Sequence, residues 1–169
     1  MTSYSAEELY DIVSDVDSYN QFVPYCTGSR VLGPSKSSEA RRNDQGASKI
    51  VDAELTIGFS ALRESYVSEV SMRPNEWVLV RLRKRRYPNL QAKAKPSPLF
   101  QELRTAWRFR PLPASPSASF PRTEVNFTLS FAFSNPLYAT IAGQVFEKLS
   151  GSMIDAFRTR SESVYGRRR

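Results

Sequence analysis

Histidine is absent from the 169-residue sequence, and cysteine occurs once. Without imidazole the chain has no His metal ligand, no His general base and no ordinary switch near physiological pH. A single Cys excludes an internal disulfide and a Cys-based zinc site, and suits a reducing compartment. The seven glycines are scattered, so no glycine-rich phosphate loop exists. Long apolar runs are missing as well. Residues 125–146 carry no charge, but Asn126, Ser130, Asn135, Pro136 and Gln144 interrupt them. That stretch predicts a strand followed by a helix, not the roughly 20 apolar residues of a membrane span. The first 29 residues hold no Lys or Arg but do hold Glu7, Glu8, Asp11, Asp15 and Asp17, unlike a secretory or mitochondrial leader.

What is present fits one globular domain: 40% hydrophobic residues, 12% aromatic, and a formal charge of +7. The charge is divided along the chain. Residues 1–80 contain 7 basic and 12 acidic side chains, whereas residues 81–169 contain 17 and 5. A net −5 half followed by a net +12 half suggests a surface that orients on an anionic partner.

Ser5-Ala-Glu-Glu8 is a capping box, followed by Leu9, Ile12, Val13 and Val16 at helical spacing, so an amphipathic helix is expected from about residue 6. Tyr19, Phe22 and Val23 extend the apolar patch through a short helix or turn that Pro24 ends. Residues 34–48 read as a loop. Val51, Ala53, Leu55, Ile57 and Phe59 alternate with polar residues as a half-buried strand. Further strands are expected at 61–72 and 76–82, with Arg73-Pro74-Asn75 as the turn. The basic, Pro-punctuated segment 83–98 is a long loop, Phe100–Phe109 a strand with Trp107 and Phe109 on one face, and 110–121 irregular chain. Val125, Phe127, Leu129, Phe131 and Phe133 mark the clearest strand. Asn135-Pro136 opens a long helix that Gly166 stops. Within it, Gly143 and Gly151 each cost about 1 kcal/mol relative to Ala; close helix–sheet packing explains them better than a bend beside a cavity. These elements form an α+β domain: a curved antiparallel sheet wrapped around a long C-terminal helix, spanning 1–166, with a basic tail at 167–169.

Catalytic groups are scarce. Asp15 and Asp17 do not share a helical face, and Asp52 and Glu54 fall on the outward face of their strand. Cys26 has no His to activate it, and no Ser–Lys spacing is recognisable. Only a carboxylate, Lys, Arg or Tyr remains for chemistry, which favours binding over catalysis. The apolar face of Phe59, Trp107, Phe109, Phe127, Leu129, Phe131 and Phe133, with the helix stripe, suits an apolar ligand as well as a core. The clusters Arg81–Arg86 and Arg167–Arg169 would be drawn to an anionic bilayer or to RNA. Aromatics confined to apolar faces argue against an exposed base-stacking sheet, and so against nucleic acid.

Three segments carry a resemblance. Tyr4–Tyr10 through Val13–Tyr19 and Phe22–Cys26, then Leu99–Leu103 with Trp107–Phe109, then Val125–Phe133 with Asn135–Tyr138, Met153–Phe157, Arg160 and Val164–Gly166, together resemble the coenzyme Q-binding protein family. The resemblance implies a START-like helix-grip fold of the polyketide cyclase/dehydrase-like superfamily; the family usually has a strand before Tyr4, and the expectation here is a fold without that first strand. Residue 25 is Tyr where relatives often carry Trp. The resemblance also implies ubiquinone as bound ligand with no catalytic cofactor and no metal. The implied location is the matrix side of the mitochondrial inner membrane, in contact with respiratory-chain or ubiquinone-biosynthesis proteins. The expected lining is Phe59, Trp107, Phe127, Leu129, Phe131, Ile141, Val145, Leu149 and Met153. Arg83, Lys84, Arg85, Arg86, Arg167, Arg168 and Arg169 are expected to touch lipid head groups. Two other readings stay open. One is a ribosome- or RNA-associated module, as in bacterial relatives. The other is an aromatase/cyclase-type enzyme, for which Tyr66 and Arg63 are the candidates.

Overall fold

The computed structural model describes residues 2–35, 48–59, 62–83, 100–116, 118–134 and 136–168, with Phe59, Leu62 and 136–150 described by backbone alone. Helix α1 (Ala6–Ser14) starts as the capping box dictates: Ser5 Oγ accepts from the Glu8 amide at 3.1 Å, and Glu8 Oε2 accepts from the Ser5 amide at 2.8 Å. Its buried face is Ala6, Leu9, Ile12 and Val13. A 3-10 helix (Val16–Gln21) follows and buries Val16 and Tyr19. Tyr19 spans the join, because its hydroxyl donates to the Val13 carbonyl.

Six strands follow in sequence order as one antiparallel meander: β1 (Cys26–Pro34), β2 (Lys49–Phe59), β3 (Leu62–Arg73), β4 (Trp77–Leu82), β5 (Phe100–Pro111) and β6 (Thr123–Phe133). Strand β1 is not readable from hydrophobic alternation. Its register shifts between Cys26 and Gly28 and again between Val31 and Gly33, so its side chains do not keep a period of two. The loop expected at 34–48 therefore begins one residue later than expected, since Pro34 closes β1; residues 36–47 lie outside the described residues. The β3–β4 turn is where Arg73-Pro74-Asn75 places it, with Asn75 left-handed at φ 61°. Strand β5 runs two residues past Phe109 to Pro111. The loop expected at 83–98 falls almost wholly outside the described residues. Before α1, Thr2 adds one bridge to Thr123 on the outer edge of β6.

Helix α2 (Pro136–Tyr165) has 30 residues and ends at Gly166, whose φ of +82° only glycine adopts without strain. Its expected cap, Asn135, lies outside the described residues. Close packing does not account for Gly151: a Cβ there would meet nothing within 4 Å, and the residue is exposed. Gly28 is the packed one, where a Cβ would stand 3.2 Å from Thr56 Oγ1.

One face of the sheet receives α1, the 3-10 helix and the C-terminal half of α2. The core lies between them, around Val13, Val16, Tyr19, Val70, Val78, Trp107 and Phe157, all nearly or fully buried.

Candidate functional site

Register decides which side chains share the covered face. Trp107 pairs with Phe127 on β6 and with Val78 on β4, and Val80 pairs with Thr105 and Val70. Side chains at these positions point the same way, so Val70, Val78, Val80, Trp107, Phe127, Leu129 and Phe131 form one apolar surface. The face divides into two zones.

The first zone is filled. The Trp107 ring lies 4.3 Å from Phe127 and 4.6 Å from Phe157 of α2. Phe157 in turn meets Tyr19 and Phe22 edge-on at 5.4 and 5.0 Å. Only 5% of Trp107 and 5% of Phe157 are exposed, so these rings pack closely against one another.

The second zone is half-buried. Phe100 stacks on Phe133 at 5.3 Å with the rings 19° apart, and meets Tyr66 and Phe131 edge-on at 5.8 and 6.1 Å. Phe100 itself, with Ile57, Val80, Leu82 and Leu103, is partly buried against the core. Strand β6 ends at Phe133 and α2 begins at Pro136, so the helix starts at this end of the sheet, and its Phe157 meets Trp107. The first half of α2 thus sets out from the half-buried aromatic zone.

The face is chemically quiet. Ser68 Oγ is fully buried there without a hydrogen-bond partner. Burial pushes the Tyr66 hydroxyl far above its ordinary range, making it a poor acid or base at neutral pH. Arg63 cannot assist it: it lies on the opposite face of β3 and is exposed. Cys26 is buried, which pushes its thiol upward and keeps it inert. No group of three or more metal-ligating side chains occurs among the described residues.

Of the lining expected from sequence, Trp107, Phe127, Leu129 and Phe131 come together on this face, and Met153 packs against the same core. The side chains of Phe59, Ile141, Val145 and Leu149 lie outside the described residues. Tyr66, Phe100, Leu103 and Phe133 belong to the surface too; Phe133 is expected on the apolar strand face and Tyr66 only as a catalytic candidate, whereas Phe100 and Leu103 are not expected as lining. Their signal is the β5–β6 register that sets Phe100 opposite Phe133, which only strand pairing reveals.

The basic residues expected at lipid head groups are engaged with acids where they are described. Arg83 pairs with Asp52, whose carboxyl is raised by burial. Arg167 pairs with Glu162 at 3.3 Å. Arg168 makes two hydrogen bonds to Glu8, at 2.8 and 2.7 Å, and its guanidinium lies over the Tyr4 and Phe120 rings at 4.9 and 5.1 Å. Lys84, Arg85, Arg86 and Arg169 lie outside the described residues. No helix among the described residues is long and apolar enough to cross a membrane.

A curved antiparallel meander and a long C-terminal helix enclosing an apolar, aromatic face define a START-like helix-grip protein. The family described as polyketide cyclase/dehydrase and lipid transport matches residues 2–158, and the chain belongs to it. The coenzyme Q-binding protein COQ10 homolog B of Xenopus laevis is 33% identical over 97% of this chain, which spans 56% of that relative's length. The ribosome association toxin RatA of Escherichia coli K12 is 29% identical over 99% of this chain and 87% of its own. Among solved structures, the Caulobacter crescentus protein CC1736 is 28% identical, with a TM-score of 0.63 over 98% of this chain and 94% of its own. The ZhuI aromatase/cyclase of Streptomyces sp. R1128 shares the fold, with a TM-score of 0.65 over 95% of this chain and 88% of its own at 14% identity.

Proposed function

We propose that the chain binds ubiquinone by its isoprenoid tail and ring between the aromatic zone and α2, without catalysing a reaction on it. The half-buried rings of Phe100, Phe131 and Phe133, packed with the buried Tyr66, carry the reading: a continuous aromatic surface at the end of the sheet where α2 begins. The kinship with coenzyme Q-binding proteins supports the identity of the ligand. The lining comprises Phe59, Phe127, Leu129, Phe131, Ile141, Val145, Leu149 and Met153, with Trp107 as the floor. Burying about 400 Å² of quinone contributes a gross 10 kcal/mol at about 25 cal/mol/Å², before association costs. Affinity of that size needs no catalytic group. In this role the protein presents the quinone to respiratory electron transport and to its own biosynthesis, from a peripheral position on the matrix side of the mitochondrial inner membrane.

Organic extraction of protein purified from a quinone-making host, followed by mass spectrometry, tests the proposal. A stoichiometric quinone is expected; absence of any isoprenoid would sink it. Ribosome association is the second reading, favoured by the fuller coverage of RatA and by the basic second half of the chain. Co-sedimentation with ribosomal subunits that persists at about 200 mM salt would select it, since simple charge attraction fades by then.

A further inference from the structure

Outside the sheet, a groove of about 550 Å³ runs between the end of the 3-10 helix and the flank of α2. Gln21 and Phe22 form one wall; Ser152, Asp155, Ala156, Thr159, Arg160 and Ser163 form the other. The spacing of Ser152, Ala156, Thr159 and Ser163 (steps of four, three and four) places them in one row along the helix. Three of the four carry a hydroxyl.

Arg160 supplies the charge. Its guanidinium lies over the Phe22 ring, 5.4 Å from the centroid, and Phe22 is itself wedged against Phe157 and Tyr19 at 5.0 and 5.8 Å. A guanidinium laid on a ring keeps its N–H donors in the guanidinium plane, free for an acceptor, and is already ordered. Arg160 forms no ion pair among the described residues, whereas the one carboxylate of the groove, Asp155, is held by Arg158 at 3.0 Å. The groove therefore presents one cation and several neutral donors, and its one carboxylate is engaged by Arg158 at the exposed helix surface.

We infer that this groove binds a phosphate ester. A tetrahedral phosphate has oxygens enough for both the guanidinium and the hydroxyl row, which a planar carboxylate satisfies less completely. The volume exceeds that of an inorganic ion and leaves space for the alcohol portion of the ester. The site is separate from the apolar face and does not rest on quinone binding: either can fail alone.

Titrating ¹⁵N-labelled full chain with glycerol 3-phosphate, against sodium chloride at equal ionic strength, tests it. Saturable amide shifts are expected at Gln21, Phe22, Ser152, Thr159 and Ser163. Arg160→Gln should weaken binding by at least about tenfold, the usual scale for a lost hydrogen bond to a charged group. Arg122→Gln, an exposed arginine outside the groove with the same charge change, should leave affinity unaltered. Because Arg160 also packs on Phe22, the paired change Thr159→Val and Ser163→Ala gives a second reading, with a several-fold loss expected. Shifts that follow ionic strength alone, or equal losses in the Arg160 and Arg122 variants, would overturn the site. Sedimentation with phosphatidylglycerol vesicles and with pure phosphatidylcholine separates the sources. Arg160-dependent binding to vesicles identifies a lipid head group, and binding of glycerol 3-phosphate alone identifies a soluble ester.

Discussion

At the scale of single residues, Glu8 does three things: it closes the capping box of α1, receives Arg168 through both carboxylate oxygens, and thereby joins the start of the fold to its end. The Arg168 guanidinium holds its carboxyl below the ordinary value of 4.5, against the opposing effect of burial. A carboxyl whose folded pKa is depressed contributes stability above the unfolded value and loses it as the pH falls through the folded one. Glu8→Gln should therefore lower the unfolding free energy at neutral pH by about 1–2 kcal/mol, the scale of a charged hydrogen bond. Urea titrations at about pH 7 and at successively lower pH check it: the difference from the parent should shrink as the pH falls through the lowered carboxyl value of Glu8. A gap that persists in acid would mean that Glu8 acts through packing alone.

At the scale of elements, Phe157 connects α2 to both the sheet and the 3-10 helix, touching Trp107, Tyr19 and Phe22. Phe157→Ala should cost about 3–5 kcal/mol, read as a fall in the urea midpoint at unchanged slope. Gly166→Ala, at the end of the same helix, forces a side chain into the left-handed region and should cost about 1 kcal/mol. Local patterns revealed these elements unevenly. The capping box, the alternation of β2 and β6, and the Gly166 stop act over a few residues and are visible in sequence. Strand β1 is not, because two bulges break its period. The aromatic zone depends on Phe100 facing Phe133, and the groove on Arg160 reaching Phe22, contacts made between residues far apart in the chain. Such pairings follow from register and docking, which no local periodicity encodes.

At the scale of the whole molecule, a ligand that binds only the folded state raises stability by mass action, by about 2.7 kcal/mol at a hundred times its dissociation constant. For a chain of this size that corresponds to a rise of about 5–10 °C in the unfolding midpoint. Ubiquinone with a short tail should produce such a shift. Leu129→Asp, a charge set among Phe127, Phe131 and Thr105, should abolish the shift beyond any loss of basal stability. Scanning calorimetry of parent and variant with and without quinone distinguishes these effects, and an undiminished shift in the variant would place the ligand elsewhere.

The anchoring of the end of α2 has a mechanical meaning. Its last turns are tied down by Phe157 and by Tyr4, whose hydroxyl donates to the Gly166 carbonyl at 2.7 Å. From Phe157 back to Pro136 the helix is a rod of about 30 Å, with Gly151 standing in open space along its course. Taken with the quinone binding proposed above, a tilt of about 7° about that tied end would move the far end by about 4 Å over that length, roughly the thickness of a flat ring.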